Sequence, residues 1–233
     1  MNVLLTGASS GIGKSICRML LAQGHEIWGF GRTFPEDTPD DPRFHPVVLD
    51  LTDTRHMLEE TDRIRHLHGI QMLIHCAGCA WYGLHEEVGP EKIRSMVRVN
   101  LEAPMILTQH LLRDLKKARG TVVFVSSVTA VHPSPRGAAY GATKAALSSF
   151  ATSLLAENRK YGLKVITLEP DLTRTGLYRS ADFQPADRKE ACLDPEDVAR
   201  ALLYALSQPE HMLTPVIRIE PAMPAISRKH SST

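Results

Sequence analysis

The chain lacks a cysteine framework, a long apolar run and an excess of either charge. Four cysteines, Cys17, Cys76, Cys79 and Cys192, are scattered over 233 residues. That is too few for a disulfide-stapled fold, so free thiols in a cytoplasmic protein are expected. No run approaches the roughly 18 apolar residues of a membrane span, and no basic stretch with an apolar core follows Met1, so no signal peptide is expected. The C-terminal Ser231-Ser232-Thr233 is no known address signal. Lys plus Arg number 27 and Asp plus Glu 26, which argues against a nucleic-acid binder. Aromatics are 6% of residues, and 15 Gly and 15 Pro are far too few for a disordered or collagen-like chain.

What is present is an ordinary globular composition, 43% hydrophobic and 23% charged. A chain of this size buries roughly 70–75% of its unfolded surface and needs no staple. Short apolar runs alternate with helical periodicity throughout. Strands are predicted at 2–6, 25–30, 46–49, 71–75, 120–126, 163–168 and 215–219. Helices are predicted near 11–23, 53–67, 90–117, 138–160 and 195–207. Most strands are apolar on both sides, as in a sheet covered on both faces. The rhythm predicts an α/β fold: a Rossmann-type doubly wound parallel sheet of about seven strands, in one domain over 1–233. Residues 171–193 break the rhythm. They are polar, weakly periodic and placed after a strand, where open sheets bind ligands, so a lid is expected; an inert surface loop is the alternative.

The first strand runs into Thr6-Gly7-Ala8-Ser9-Ser10-Gly11-Ile12-Gly13, and a helix follows. Glycines here permit a tight turn and a close approach to a pyrophosphate, which the helix N-terminus favours. A nucleotide-triphosphate P-loop would need Gly where Ala8 stands. The second strand ends Trp28-Gly29-Phe30-Gly31-Arg32, with no acid to grip a ribose 2′-OH. Arg32 is instead placed to meet a 2′-phosphate, which favours NADP(H) over NAD(H); a solvated loop charge is the alternative.

Tyr140 and Lys144 lie at i and i+4 of a predicted helix, on one face. A nearby ammonium favours phenolate and would lower the Tyr pKa from about 10, making Tyr140 a general acid or base for a carbonyl or alcohol. Ser127 stands 13 residues upstream, just past a strand; Ser126 is the lesser candidate.

Thr-Gly-x-x-x-Gly-x-Gly, Ala77-Gly78, Asn100, Ser127 and Tyr140-x-x-x-Lys144, in this order, resemble the short-chain dehydrogenase/reductase family over roughly residues 1–220. The resemblance implies an oxidoreductase in which Tyr140 exchanges a proton with a carbonyl or alcohol oxygen and Ser127 orients that oxygen. Lys144 would tune Tyr140 and hold the nicotinamide ribose, and Asn100 would hold a proton-relay water. It assigns the cofactor to Gly7, Ser9, Ser10, Gly11, Ile12, Gly13, Arg32, Asp50, Leu51, Ala77, Gly78, Asn100, Tyr140, Lys144, Pro170, Thr173 and Thr175. Asp50 would contact the adenine, with a helix-capping Asp as the alternative.

Departures accompany the matches. His75-Cys76 stands for Asn-Asn, Asp171 for the Gly of the Pro-Gly-x-Val-x-Thr stretch and Thr173 for its Val. Cys76 and Cys79 form a CxxC without the partners that a redox or metal role needs, so no metal is expected. The resemblance implies a small-molecule carbonyl or alcohol as the substrate, with no nucleic-acid or membrane partner. The substrate pocket is expected at Trp81, Tyr82, Val128, His132, Tyr178 and Phe183, with ordinary packing as the alternative. The family resemblance also implies a homodimer or homotetramer through helices 90–117 and 138–160. The wider Tyr–Lys spacing of an enoyl reductase and the Thr-Gly-x-x-Gly-x-x-Gly of a longer epimerase are both absent. A non-catalytic NADP(H)-binding sensor or scaffold remains the alternative function.

Overall fold

The computed structural model describes residues 1–229; Ser231-Ser232-Thr233 lie outside the described residues. Seven strands form one sheet in the order β3-β2-β1-β4-β5-β6-β8. They are β1 (Asn2–Thr6), β2 (Glu26–Gly31), β3 (Phe44–Val48), β4 (Met72–His75), β5 (Thr121–Val125), β6 (Lys164–Pro170) and β8 (Val216–Ile219). Every pairing is parallel. The order reverses between β1 and β4, the switch point where open sheets bind ligands.

The sequence explains why both faces are covered. Leu4 of β1 packs with α2 (Thr54–His68), α4 (Ala103–Lys117) and α5 (Ala138–Asn158), through Met57, Leu111 and Leu147. Its neighbours Val3 and Leu5 pack on the other face with α1 (Gly11–Ala22) and α6 (Pro195–Leu206), through Ile16, Leu20, Val198 and Leu202. Successive strand residues point to opposite faces, so an unbroken apolar run serves two cores.

Caps set the helix starts. Asp53 accepts from His56 N at 3.0 Å and begins α2. Pro195 opens α6, and the Asp197 carboxylate accepts from Asp194 N at 2.8 Å.

Several elements differ from the sequence reading. The helix expected over 90–117 is α3 (Pro90–Val97), a π turn at Arg98–Glu102, then α4. Pro104 sits in the first turn of α4, and the π turn, which contains Asn100, is the irregularity. Residues 171–193 hold two 3₁₀ turns, Gly176–Tyr178 and Lys189–Ala191, and a strand β7 (Phe183–Pro185). β7 pairs antiparallel with β9 (Ile226–Arg228), which the sequence reading missed. Three-residue strands carry no periodicity to read. Among the described residues no helix is long and apolar enough to cross a membrane.

Candidate active site

One cavity of about 690 Å³ follows the C-terminal ends of the strands. Asp50, Leu51 and Thr52 line it after β3, Arg32 after β2, the glycine turn after β1 and Cys76–Tyr82 after β4. Ser126 and Ser127 follow β5, and Pro170–Thr173 end and follow β6. Six neighbouring strands about 4.8 Å apart make this trough roughly 24 Å long.

The glycine turn is built by close packing. Gly7 has φ +74°, and a Cβ there would lie 2.7 Å from Ala77 N. A Cβ on Gly13 would collide with the Gly7 carbonyl. The Thr6 hydroxyl accepts from the N–H groups of Cys76 and Ala77, each at 3.2 Å, and joins the ends of β1 and β4. The α1 N-terminus therefore faces the trough, with Ser9, Ser10, Gly11, Ile12 and Gly13 in its wall. A positive helix end, bare backbone and an exposed Arg32 fit a dinucleotide carrying phosphates.

Asp50 does not cap a helix, since Asp53 does. Its Oδ1 accepts from Thr52 N and Thr52 Oγ1, both at 2.8 Å. These bonds, with Arg32 and Arg98 nearby, hold its carboxyl below the usual range. Pro170, Thr173 and Thr175 all line the cavity. Where Gly was expected, Asp171 donates its N–H to Ile219 O at 2.9 Å. The Thr173 hydroxyl donates to Asp171 O at 2.7 Å, so the substituted residue closes the turn itself.

Ser127, Tyr140 and Lys144 meet at the other end of the cavity, 7%, 5% and 4% exposed. Lys144 Nζ donates to Val125 O at 2.8 Å and lies 5.7 Å from the Tyr140 ring centroid. The expected lowering of the Tyr140 pKa is corrected here. Burial pushes the phenol above its ordinary value; Tyr178 raises it further and the Ser127 hydroxyl opposes the shift. Burial also lowers Lys144 to about 8, weakening the ammonium that was expected to do the tuning.

Asn100 is fully buried but does not line the cavity. Its Oδ1 accepts from Cys79 N at 2.9 Å, and its Nδ2 donates to Cys79 O at 2.9 Å and Thr143 Oγ1 at 3.1 Å. The side chain is thus committed to protein groups and fixes the loop after β4 to α5. The water-holding role assigned to Asn100 finds no spare side-chain donor. His75 also points away from the cavity. It stacks on Phe124 with ring centroids 4.9 Å apart and bonds Thr108 Oγ1 at 2.8 Å.

Of the expected substrate residues, Trp81, Tyr82, Tyr178 and Phe183 line the cavity. Tyr82 touches Tyr140, Tyr178 and Phe183, with centroids 6.0, 5.8 and 5.1 Å away. Val128 and His132 are corrected: neither lines it. Val128 is buried within a 3₁₀ turn, and the next turn of chain carries His132 outward into solvent. Sequence reasoning missed Cys79, Ser134 and Asp171, which also line the cavity. Only Asp171 carried a signal, as a departure from the family pattern. Cys76 and Cys79 are free thiols raised by burial. Among the described residues no group of three or more His, Cys, Asp or Glu could hold a metal.

The segment 171–193 is pinned over the site. Ser180 Oγ donates to Ala80 O at 3.1 Å, and Arg136 pairs with Asp182 at 2.5 Å. Lys229 donates to the carbonyls of Tyr178 and Arg179 at 2.6 and 3.1 Å.

Known proteins share this plan. A family model described as short chain dehydrogenase matches residues 1–185. An uncharacterized oxidoreductase of Staphylococcus aureus is 29% identical over 226 residues, covering 94% of this chain and 96% of that protein. An NADPH-dependent 3-dehydrocapnine reductase of Ornithobacterium rhinotracheale is 33% identical over 192 residues, covering 76% of this chain and 67% of that one. Among solved structures, an alcohol dehydrogenase from Thermococcus sibiricus complexed with 5-hydroxy-NADP superposes with TM-score 0.83 at 23% identity, covering 94% and 95% of the two chains. A short-chain dehydrogenase from Streptomyces avermitilis gives TM-score 0.82 at 25% identity, covering 94% and 88%. With the motif order and the sheet topology, these matches make the chain an oxidoreductase of the short-chain dehydrogenase/reductase family.

Proposed function

We propose that the protein is an NADP(H)-dependent reductase of a small-molecule ketone or aldehyde, working reversibly on the corresponding alcohol. The observation that carries this reading is one cavity shared by Ser127, Tyr140, Lys144, the glycine turn and Arg32. A bound nicotinamide supplies the hydride. Ser127 holds the substrate oxygen and Tyr140 donates its proton to it. Burial keeps that phenol protonated, which suits the acid role. Lys144, charged below about pH 8, holds the nicotinamide ribose and stabilises the phenolate left behind. Arg32 meets the 2′-phosphate; the NADPH dependence in the name of the Ornithobacterium reductase supports this choice. Asn100 acts by holding Cys79 and Thr143 in place.

Trp81, Tyr82, Tyr178 and Phe183 give the substrate end an aromatic wall, suited to a ring or an apolar chain. A second copy of the chain would dock on the outward faces of α4 and α5, where Met105, Ala142, Ser149 and Ala156 are exposed and uncharged. Sedimentation velocity tests that: a monomer at micromolar concentration rejects it. The reaction is tested by following NADPH consumption optically with a panel of ketones, aldehydes and quinones. Tight NADPH binding with no turnover of any of them would favour the sensor reading.

A further inference from the structure

Behind the catalytic residues a polar chain runs from Ser126, in the cavity wall, through Ser148 to Glu169 and Arg218, which do not line the cavity. Glu169, the penultimate residue of β6, is 4% exposed. A carboxylate this deep in a parallel sheet needs partners. Its Oε2 accepts from Arg218 of β8 through Nε at 3.2 Å and a terminal guanidinium nitrogen at 2.9 Å. Its Oε1 lies 3.2 Å from the Ser148 hydroxyl of α5. The same Ser148 hydroxyl lies 2.8 Å from Ser126 Oγ, so its single proton faces both acceptors. The Ser126 hydroxyl donates to the Lys144 carbonyl at 3.0 Å.

This chain links the two halves of the catalytic group. Ser126 precedes Ser127 and is held to β6 by its own N–H, which donates to Leu168 O at 2.8 Å. Lys144 and Ser148 are one helical turn apart on α5, and Tyr140 is one turn earlier. The contact between α5 and the end of β5 is therefore polar at this point, and its geometry is specified by hydrogen bonds rather than by apolar packing. The Glu169 side chain is buried, while its partner Arg218 reaches in from the edge strand with its side chain partly exposed.

We propose that Glu169 is a positioning residue for the Tyr140–Lys144 face, acting through Ser148 and Ser126 to set that face of α5 against the strand end carrying Ser127. This rests on the reductase reading above. Arg218 holds the far end of the chain through its two hydrogen bonds to the carboxylate. Glu169 touches no cavity surface, so its effect falls on the alignment of the reacting groups rather than on cofactor contacts.

The test uses Ser148→Ala, which cuts the chain while leaving the Glu169–Arg218 pair in place, beside Ser148→Thr, which keeps the hydroxyl. Thermal melting, NADPH affinity by fluorescence titration, and kcat and KM against a turned-over carbonyl are measured for each. The expected result is a kcat about ten-fold lower for Ser148→Ala, given how steeply catalysis depends on sub-ångström placement. NADPH affinity and melting temperature stay close to those of the parent, and Ser148→Thr recovers most of the rate. Ser148→Ala with the parent's kcat overturns the proposal, as does an equal loss in both variants. If the parent turns over no carbonyl, the reductase reading fails, and the positioning claim is judged on Lys144. A ¹⁵N-lysine NMR titration then follows that amine, and an unchanged Lys144 titration in Ser148→Ala rejects the claim.

Discussion

The Lys144 ammonium sits 5.7 Å from the centroid of the Tyr140 ring and is bonded at 2.8 Å to the carbonyl of Val125. Both residues are almost fully buried, and burial acts on them in opposite senses: it raises the phenol and lowers the amine to about 8. At neutral pH this leaves a protonated phenol beside a cation, the pairing that a proton donor to a carbonyl needs.

A pH dependence follows from Lys144. Its amine is charged below about pH 8 and loses its proton above that, well before an ordinary lysine at 10.5. Carbonyl reduction is therefore expected to be steady from pH 6 to 8 and to fall by about ten-fold per pH unit beyond, as one proton is lost. A kcat profile flat to pH 10 would remove Lys144 titration from the mechanism.

Tyr140→Phe keeps the ring that Tyr82 packs against and removes only the phenolic oxygen. The expected loss in kcat is about 10²- to 10⁴-fold, the range for removing a general acid. NADPH affinity is expected to persist, read by fluorescence titration. Retention of full activity would show that the proton comes from elsewhere.

Arg32→Ala tests the cofactor choice. Arg32 is exposed at the end of β2 and lines the cavity. Loss of a charge-assisted phosphate contact is expected to raise the KM for NADPH about ten-fold or more while leaving NADH nearly unchanged. Steady-state kinetics with both cofactors measure the ratio; an unaltered ratio would assign Arg32 to solvent.

His75 predicts an acid sensitivity independent of catalysis. Burial lowers its pKa from 6.5 to about 3. Between these values the unfolded chain binds a proton that the folded chain does not, so stability falls as pH drops below 6.5. The slope from this group reaches about 1.4 kcal/mol per pH unit. His75→Asn loses the bond to Thr108 and is expected to cost about 1–3 kcal/mol at pH 7. Its stability should then decline less steeply toward pH 4 in urea titrations, and an identical slope would place the acid sensitivity in other groups.

Much of the molecule was legible in the chain because its signals are local. Val3, Leu4 and Leu5 form a strand that feeds two cores, and Gly7 and Gly13 mark a turn that no side chain could occupy. Tyr140 and Lys144 share a helix face by spacing alone. These features depend on backbone sterics, on a period of two or 3.6, and on apolar burial, all of which act within a few residues. Tertiary structure decided what depends on neighbours distant in sequence. Burial reversed the expected shift of Tyr140, because desolvation by the surrounding elements is the largest influence on the phenol and the Ser127 hydroxyl only partly opposes it. Asn100 was turned toward Cys79 and Thr143, His132 was carried out of the pocket, and β7 found its partner in β9. A spacing can place a charged or polar group on a face, but its pKa and its partners are set by which other surfaces close over it.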